Sequence, residues 1–199
     1  MQEEAYRQYV LRTWPRGHLW QCRADLNGRE VGDRAIADDA ESAIKDKKAS
    51  LDARDDTIAG GKGQDGCPSA LEYAEAFGRV KMSAGQEAML KAHLDAPDHC
   101  LTATELAAAA GYANWSAANL QYGLLGQAVA QDLNFNPRRR GDGSTIWTTA
   151  LADAAGYLSD DLDAASLHRT MERREDDAHF EWTLRPQVVE ALRGAKSKP

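Results

Sequence analysis

The sequence predicts an α+β protein in two parts, an N-terminal ββα unit and a C-terminal domain of short capped helices followed by strands. Three observations carry this. Asn27-Gly28 stands between two β-favouring runs, as a tight hairpin requires, because both central residues of a type I′ turn take positive φ. Gly60-Gly61-Lys62-Gly63-Gln64-Asp65-Gly66 puts four glycines in seven residues, with little to pack and much entropy to lose. Beyond it, Ser69-x-x-Glu72, Ser83-x-x-Gln86 and Thr102-x-x-Glu105 each have the spacing of a capping box at a helix start. The expected organisation is therefore residues 1–60 as the ββα unit, 61–68 as a linker and 69–199 as the C-terminal domain.

Composition narrows the class. With 43% hydrophobic and 28% charged residues, the 199-residue chain can bury a core and is not wholly disordered. No apolar run approaches the roughly 18 residues of a membrane span. The acidic start Met1-Gln2-Glu3-Glu4 is unlike a basic, then apolar, secretory leader, so a cytoplasmic protein without membrane contact is expected. A net charge of -7 excludes a generally basic nucleic-acid coat but leaves room for a local patch. Residues 111–150, with three basic and two acidic side chains, form the one positive stretch. Cys22, Cys67 and Cys100 are odd in number and widely spaced, which fits reduced thiols rather than a disulfide framework.

Along the chain, Glu3 to Leu11 reads as a short helix. The first hairpin strand places Trp20, Cys22, Ala24 and Leu26 on one face. A helix from about Asp39 to Arg54 follows, with Ala40, Ala43, Ile44, Lys47 and Leu51 near one stripe. Asp52, Asp55 and Asp56 fall at its polar end, where a solvated face is the simplest reading. After the linker, the Ser69 box opens a helix carrying Leu71, Ala74 and Phe77, and the Ser83 box opens one ending at Ala96-Pro97. The Thr102 box opens Ala103 to Ala110, with Leu101 and Leu106 placed as a hydrophobic staple and Gly111 as the stop. Ser116 is the expected cap of a longer helix to about Leu133, with Ala117, Leu120, Leu124 and Ala128 on one face. Ser144 to Thr149 and His179 to Leu184 are β-favouring, with an acidic insertion over about 155–178 between them. Pro186 starts a last helix with Val188, Val189 and Leu192 inward.

The order over residues 83–184, helix, capped helix, tight turn, longer helix, strand, excursion, strand, resembles a winged helix-turn-helix. Thr102-Ala103-Thr104-Glu105-Leu106-Ala107-Ala108-Ala109-Ala110-Gly111-Tyr112, followed by Ser116-Ala117-Ala118-Asn119-Leu120, carries the likeness over about half the chain. The stretch Leu101 to Leu133, with Pro137-Arg138-Arg139, Ile146-Trp147 and Trp182-Thr183-Leu184-Arg185-Pro186, is also similar to a module found with predicted bacterial HNH-type restriction endonucleases. The five scattered histidines show no HNH-like metal arrangement, so the resemblance implies the reader module without the nuclease.

The winged-helix resemblance implies double-stranded DNA as a partner. It would put Asn114, Ser116, Asn119, Gln121 and Tyr122 toward a major groove, where Asn and Gln can pair with adenine. Arg138, Arg139 and Arg140 would sit at the wing entrance on phosphate or in a minor groove. Against this, no Lys or Arg occurs from Ala92 to Pro137, and phosphate neutralisation supplies most non-specific affinity. A homodimer would double so weak a patch. The rival reading is an acidic protein–protein interaction module, for example a phage- or plasmid-encoded inhibitor of a defence complex, with Tyr112 and Trp115 as an aromatic patch. No cofactor is implied, and the C-x-x-C, P-loop, G-x-S-x-G and H-E-x-x-H spacings are absent from the sequence. The expectation is a non-catalytic DNA-binding or modulatory protein of bacterial regulation or defence.

Overall fold

Tyr9-Val10-Leu11-Arg12-Thr13-Trp14 alternates inward and outward side chains, and that alternation settles the N-terminus as strand rather than helix. The computed structural model describes residues 1–63, 65–154 and 181–196, and in it the chain begins with β1 (Gln2–Tyr6) and β2 (Tyr9–Arg16). With β3 (Leu19–Leu26) and β4 (Arg29–Ala37) they form an antiparallel meander in the order β1-β2-β3-β4. The N-terminal part is thus ββββα, not ββα. The helix expected over Glu3 to Leu11 fails because Tyr9, Leu11 and Thr13 bury on one face, which a helical period would split. The turn joining these strands carries Arg7 at φ 52, without the Gly or Asn that flags such turns.

Asn27 and Gly28, at φ 52 and 79, make the β3–β4 turn as expected. Helix α1 (Ala40–Gly61) runs longer than expected and buries Ala43, Lys47 and Leu51. Those residues share a core with Tyr9, Leu11, Cys22, Ala24 and Val31. Lys47 is fully buried, its Nζ donating to the carbonyls of Val31 and Asp33 at 2.7 Å each. Burial lowers its pKa. Asp52 and Asp55 are not merely solvated: Tyr6 donates to Asp52 at 2.7 Å, Tyr9 contacts Asp55, and Arg7 pairs with Asp52 at 2.9 Å. These contacts tie the first turn to the helix.

The contact pattern divides the chain into two compact units, Met1–Gly60 and Gly61–Pro199. In the second, α2 (Ala70–Arg79), α3 (Ala84–Asp95) and α4 (Ala103–Ala110) all begin with reciprocal capping boxes, from Ser69, Ser83 and Thr102. Between α3 and α4 lie a 3-10 turn (Pro97–His99) and the short strand β5 (Cys100–Thr102). Gly111 ends α4 at φ 69, in the left-handed region that a C-terminal stop requires. Then come α5 (Trp115–Leu133), a 3-10 turn (Trp147–Ala150), β6 (Ala152–Ala154), β7 (Glu181–Leu184) and α6 (Pro186–Lys196). The three strands pair antiparallel in the order β5-β7-β6. Tyr73, Met89, Leu106, Tyr122, Leu125, Leu151 and Leu184 belong to the core they enclose.

The strand expected over Ser144 to Thr149 is absent: only a single Arg139–Thr145 bridge pairs there. Thr149 turns its hydroxyl back to the carbonyl of Ile146 at 2.7 Å, favouring a 3-10 turn over a ladder. The acidic insertion over about 155–178 lies outside the described residues. Among those residues, no helix is long and apolar enough to cross a membrane.

Candidate interaction surface

Helix α5 is the element on which the expected site residues concentrate. Its cap is Asn114, not Ser116: the Asn114 side-chain oxygen accepts from the Ala117 amide at 3.0 Å. Asn114 therefore has its carbonyl oxygen committed to the helix end, while Ser116 is exposed in the first turn.

The inward face is Ala118, Tyr122, Leu125, Gly126, Val129 and Ala130. Tyr122, expected at a DNA groove, is 1% exposed and cannot reach one. Its hydroxyl lies 2.8 Å from His93 Nδ1, and His93 Nε2 lies 2.8 Å from the Trp182 carbonyl. A carbonyl only accepts, so Nε2 carries the proton, Nδ1 accepts, and Tyr122 donates. This buried chain joins α5, α3 and β7. Burial lowers the His93 pKa to about 4, which keeps the ring neutral near pH 7. Gly126 lets α5 press on the turn that follows it: a Cβ there would overlap the Trp147 carbonyl.

The face expected to point inward points out. Leu120 is 62% exposed and Leu124 45%, with Trp115 at 52% near the helix start. A helix with apolar residues on nearly every side gives two competing stripes, and Tyr122, Leu125 and Val129 bury more surface than Ala117 and Ala128 would. Asn119 and Gln121 are half-buried, and the Gln121 carbonyl accepts from the Gln86 side-chain amide at 3.1 Å. No charged side chain occurs between Glu105 and Asp132, so the whole outward face of α5 up to Gln131 is uncharged. Tyr112 is half-buried, its hydroxyl filling the space over Gly85, so it does not join Trp115 as an open aromatic patch.

The arginine run sits in a tight reversal, with Arg140 N donating to Ser144 O at 2.8 Å and Ile146 N to Arg138 O at 2.8 Å. Arg138 is drawn into the structure: its Nε lies 3.6 Å from Asp153, which is 2% exposed on its side chain. Asp153 also faces Arg185, 3.1 Å away, and Arg185 donates to Asp65 at 2.8 Å and to the Thr149 carbonyl at 2.7 Å. Burial raises the Asp153 pKa against the pull of both arginines. Burial also pushes the Asp65 carboxyl up, but the Arg185 hydrogen bond and charge outweigh it and the net shift is down. Arg138 is thus partly spent on a buried carboxylate, leaving Arg139 and Arg140 as the exposed members of the run. Arg185 is visible in the sequence only as part of the Trp182–Pro186 run and Asp153 not at all, because nothing in their spacing reveals that β6 and β7 bring them together.

Among the described residues, no group of three His, Cys, Asp or Glu side chains could hold a metal ion, and Cys22, Cys67 and Cys100 are free thiols. No family model matches the chain, and comparisons with curated proteins and with solved structures find no match.

Proposed function

We propose that this protein is a non-catalytic interaction module whose winged-helix-like second unit docks another protein through the outward face of α5. The observation that carries the reading is the uncharged outward face itself, with Leu120 and Leu124 exposed on it and Trp115 exposed at the start of the helix. Interface centres are depleted of charge and enriched in aromatic anchors, whereas a DNA-binding surface must neutralise phosphates. Tyr122 buried, the Asn114 oxygen used as a cap and Arg138 drawn to Asp153 leave Ser116, Asn119, Gln121, Arg139 and Arg140 for a duplex.

The order α3-β5-α4-α5-β6-β7, with the sheet ordered β5-β7-β6, supports the winged-helix reading. It also favours the second function: a modulatory DNA-binding protein of bacterial regulation or defence, with α5 in a groove and Arg139 and Arg140 on the backbone. Fluorescence anisotropy with labelled duplexes, unmodified and methylated, at about 50 and 200 mM salt separates the two. The docking reading expects no binding that weakens with salt. Salt-sensitive binding that disappears in an R139A/R140A variant would overturn it in favour of DNA.

A further inference from the structure

The first unit carries α1 on one face of its sheet, and the opposite face is built in rows that folding does not require. Tyr9, Leu11, Cys22 and Ala24 share the core with α1, so Arg12, Trp14 and Arg16 of β2 and Gln21, Arg23 and Asp25 of β3 point the other way. The register lines up Trp14, Gln21 and Ile36 across β2, β3 and β4, and Ile36 is 54% exposed. In the next row Arg12 stands directly opposite Arg23. Like charges so placed destabilise a sheet, so this row costs stability rather than adding it.

The acids that hold these arginines lie beneath them or at the sheet edges. Asp25 meets Arg12 at 2.9 Å and Arg23 at 3.3 Å, and its side chain is 6% exposed against 32% and 31% for the two arginines. Glu3 and Glu30 belong to the edge strands, Glu3 at 3.0 Å from Arg12 and Glu30 at 2.7 Å from Arg34. A guanidinium has five N–H donors, so each keeps some beyond these bonds. Arg34 also lies over the Trp14 ring, 5.6 Å from its centroid, and Arg16 is exposed past Trp14 on β2. The centre of the face therefore presents cations and an aromatic ring, with its carboxylate underneath.

We propose that this face binds single-stranded nucleic acid, with Arg12, Arg16 and Arg23 on phosphates and Trp14 with Arg34 as the platform for an unpaired base. The guanidinium fork matches phosphate oxygens, and bases stack on indole rings and guanidinium planes alike. An acidic peptide would meet the arginines but leave the Trp14–Arg34 platform unused. A duplex fits less well. Four strands about 4.8 Å apart span about 14 Å, wider than the roughly 12 Å of a major groove, and paired bases keep their faces inside the stack. The net charge of -7 opposes any polyanion, so the affinity is modest, with a Kd on the order of 10 to 100 µM at about 50 mM salt. The site lies in the first unit and does not rest on the docking reading.

Fluorescence anisotropy of the full chain with labelled oligothymidine and oligouridine of about 15 nucleotides tests this. Three phosphate contacts on a single strand give a salt slope near -2, so binding should fall roughly 20-fold between about 50 and 200 mM salt. R16A should cost about eightfold at 50 mM salt and flatten the slope by about 0.7. W14L, which removes the ring and keeps an apolar side chain, should cost about fivefold or more. Arg16 is exposed, so R16A should keep the wild-type circular dichroism and melting temperature and stays decisive even if W14L is less stable. A duplex of the same length, and polyglutamate of the same charge, should bind at least about tenfold more weakly. No binding of either oligonucleotide at about 1 mM protein overturns the site, as does binding that R16A and W14L leave unchanged. Polyglutamate binding as tightly as the oligonucleotides overturns it in favour of an acidic protein segment. The docking reading is decided separately, by duplex binding that R139A/R140A removes.

Discussion

At the residue scale, His93 couples protonation to the core of the second unit. Its ring is fully buried, donating to the Trp182 carbonyl and accepting from Tyr122. The folded pKa of about 4 lies below the unfolded value near 6.5, so between those limits the unfolded chain binds more protons. This contribution to stability is therefore complete above about pH 6.5 and lost as pH falls toward 4. The loss between pH 7 and pH 5 is about 2 kcal/mol. Urea unfolding at the two pH values should show it in the wild type and a smaller fall in His93→Gln; equal falls would remove His93 as the cause.

At the element scale, α5 holds two glycines with opposite roles. A methyl at Gly126 would meet the Trp147 carbonyl, whereas one at Gly123 finds only Thr148 Oγ1, at an ordinary 3.9 Å. Gly126→Ala is expected to destabilise by about 1 to 3 kcal/mol through overpacking, and Gly123→Ala to stabilise by up to about 1 kcal/mol through helix propensity. Melting temperatures moving in opposite directions would bear this out; Gly126→Ala at or above wild type would mean α5 shifts away from the turn without cost. The start of α4 is tested more simply. Thr102 accepts from the Glu105 amide at 3.2 Å while Glu105 accepts from the Thr102 amide at 2.8 Å. Thr102→Ala should cost about 1 kcal/mol in chemical denaturation.

At the scale of the whole molecule, each unit has its own core and its own buried cation. Lys47 donates to two strand carbonyls in the first, and Arg185 holds Asp153, Asp65 and the Thr149 carbonyl in the second. Removing either leaves buried acceptors unpaired, at a cost of about 2 to 4 kcal/mol. Hydrogen exchange should localise the damage: Lys47→Ala speeds exchange in β3 and β4, Arg185→Ala in β6 and β7. Faster exchange throughout the chain from either substitution would mean that the two cores open together.

Local chemistry was legible in the sequence. Asn27-Gly28, the Ser69, Ser83 and Thr102 boxes and Gly111 each specify a backbone conformation through their own side chains or lack of one, so no distant residue is needed to read them. Lys47 was legible too, as a member of the inward stripe of α1. The first hairpin was not, because Arg7-Gln8 carries no turn signal and the burial of Tyr9 and Leu11 exists only once β3 lies beside them. Which stripe of α5 faces inward was likewise decided by tertiary structure. Apolar residues surround that helix, and His93, Trp182 and the Trp147 turn select the side bearing Tyr122 and Gly126. That choice turns Leu120 and Leu124 outward and creates the candidate surface. A sequence read locally contains the caps and turns, but the free energy that picks one apolar face over another comes from contacts between residues far apart in the chain.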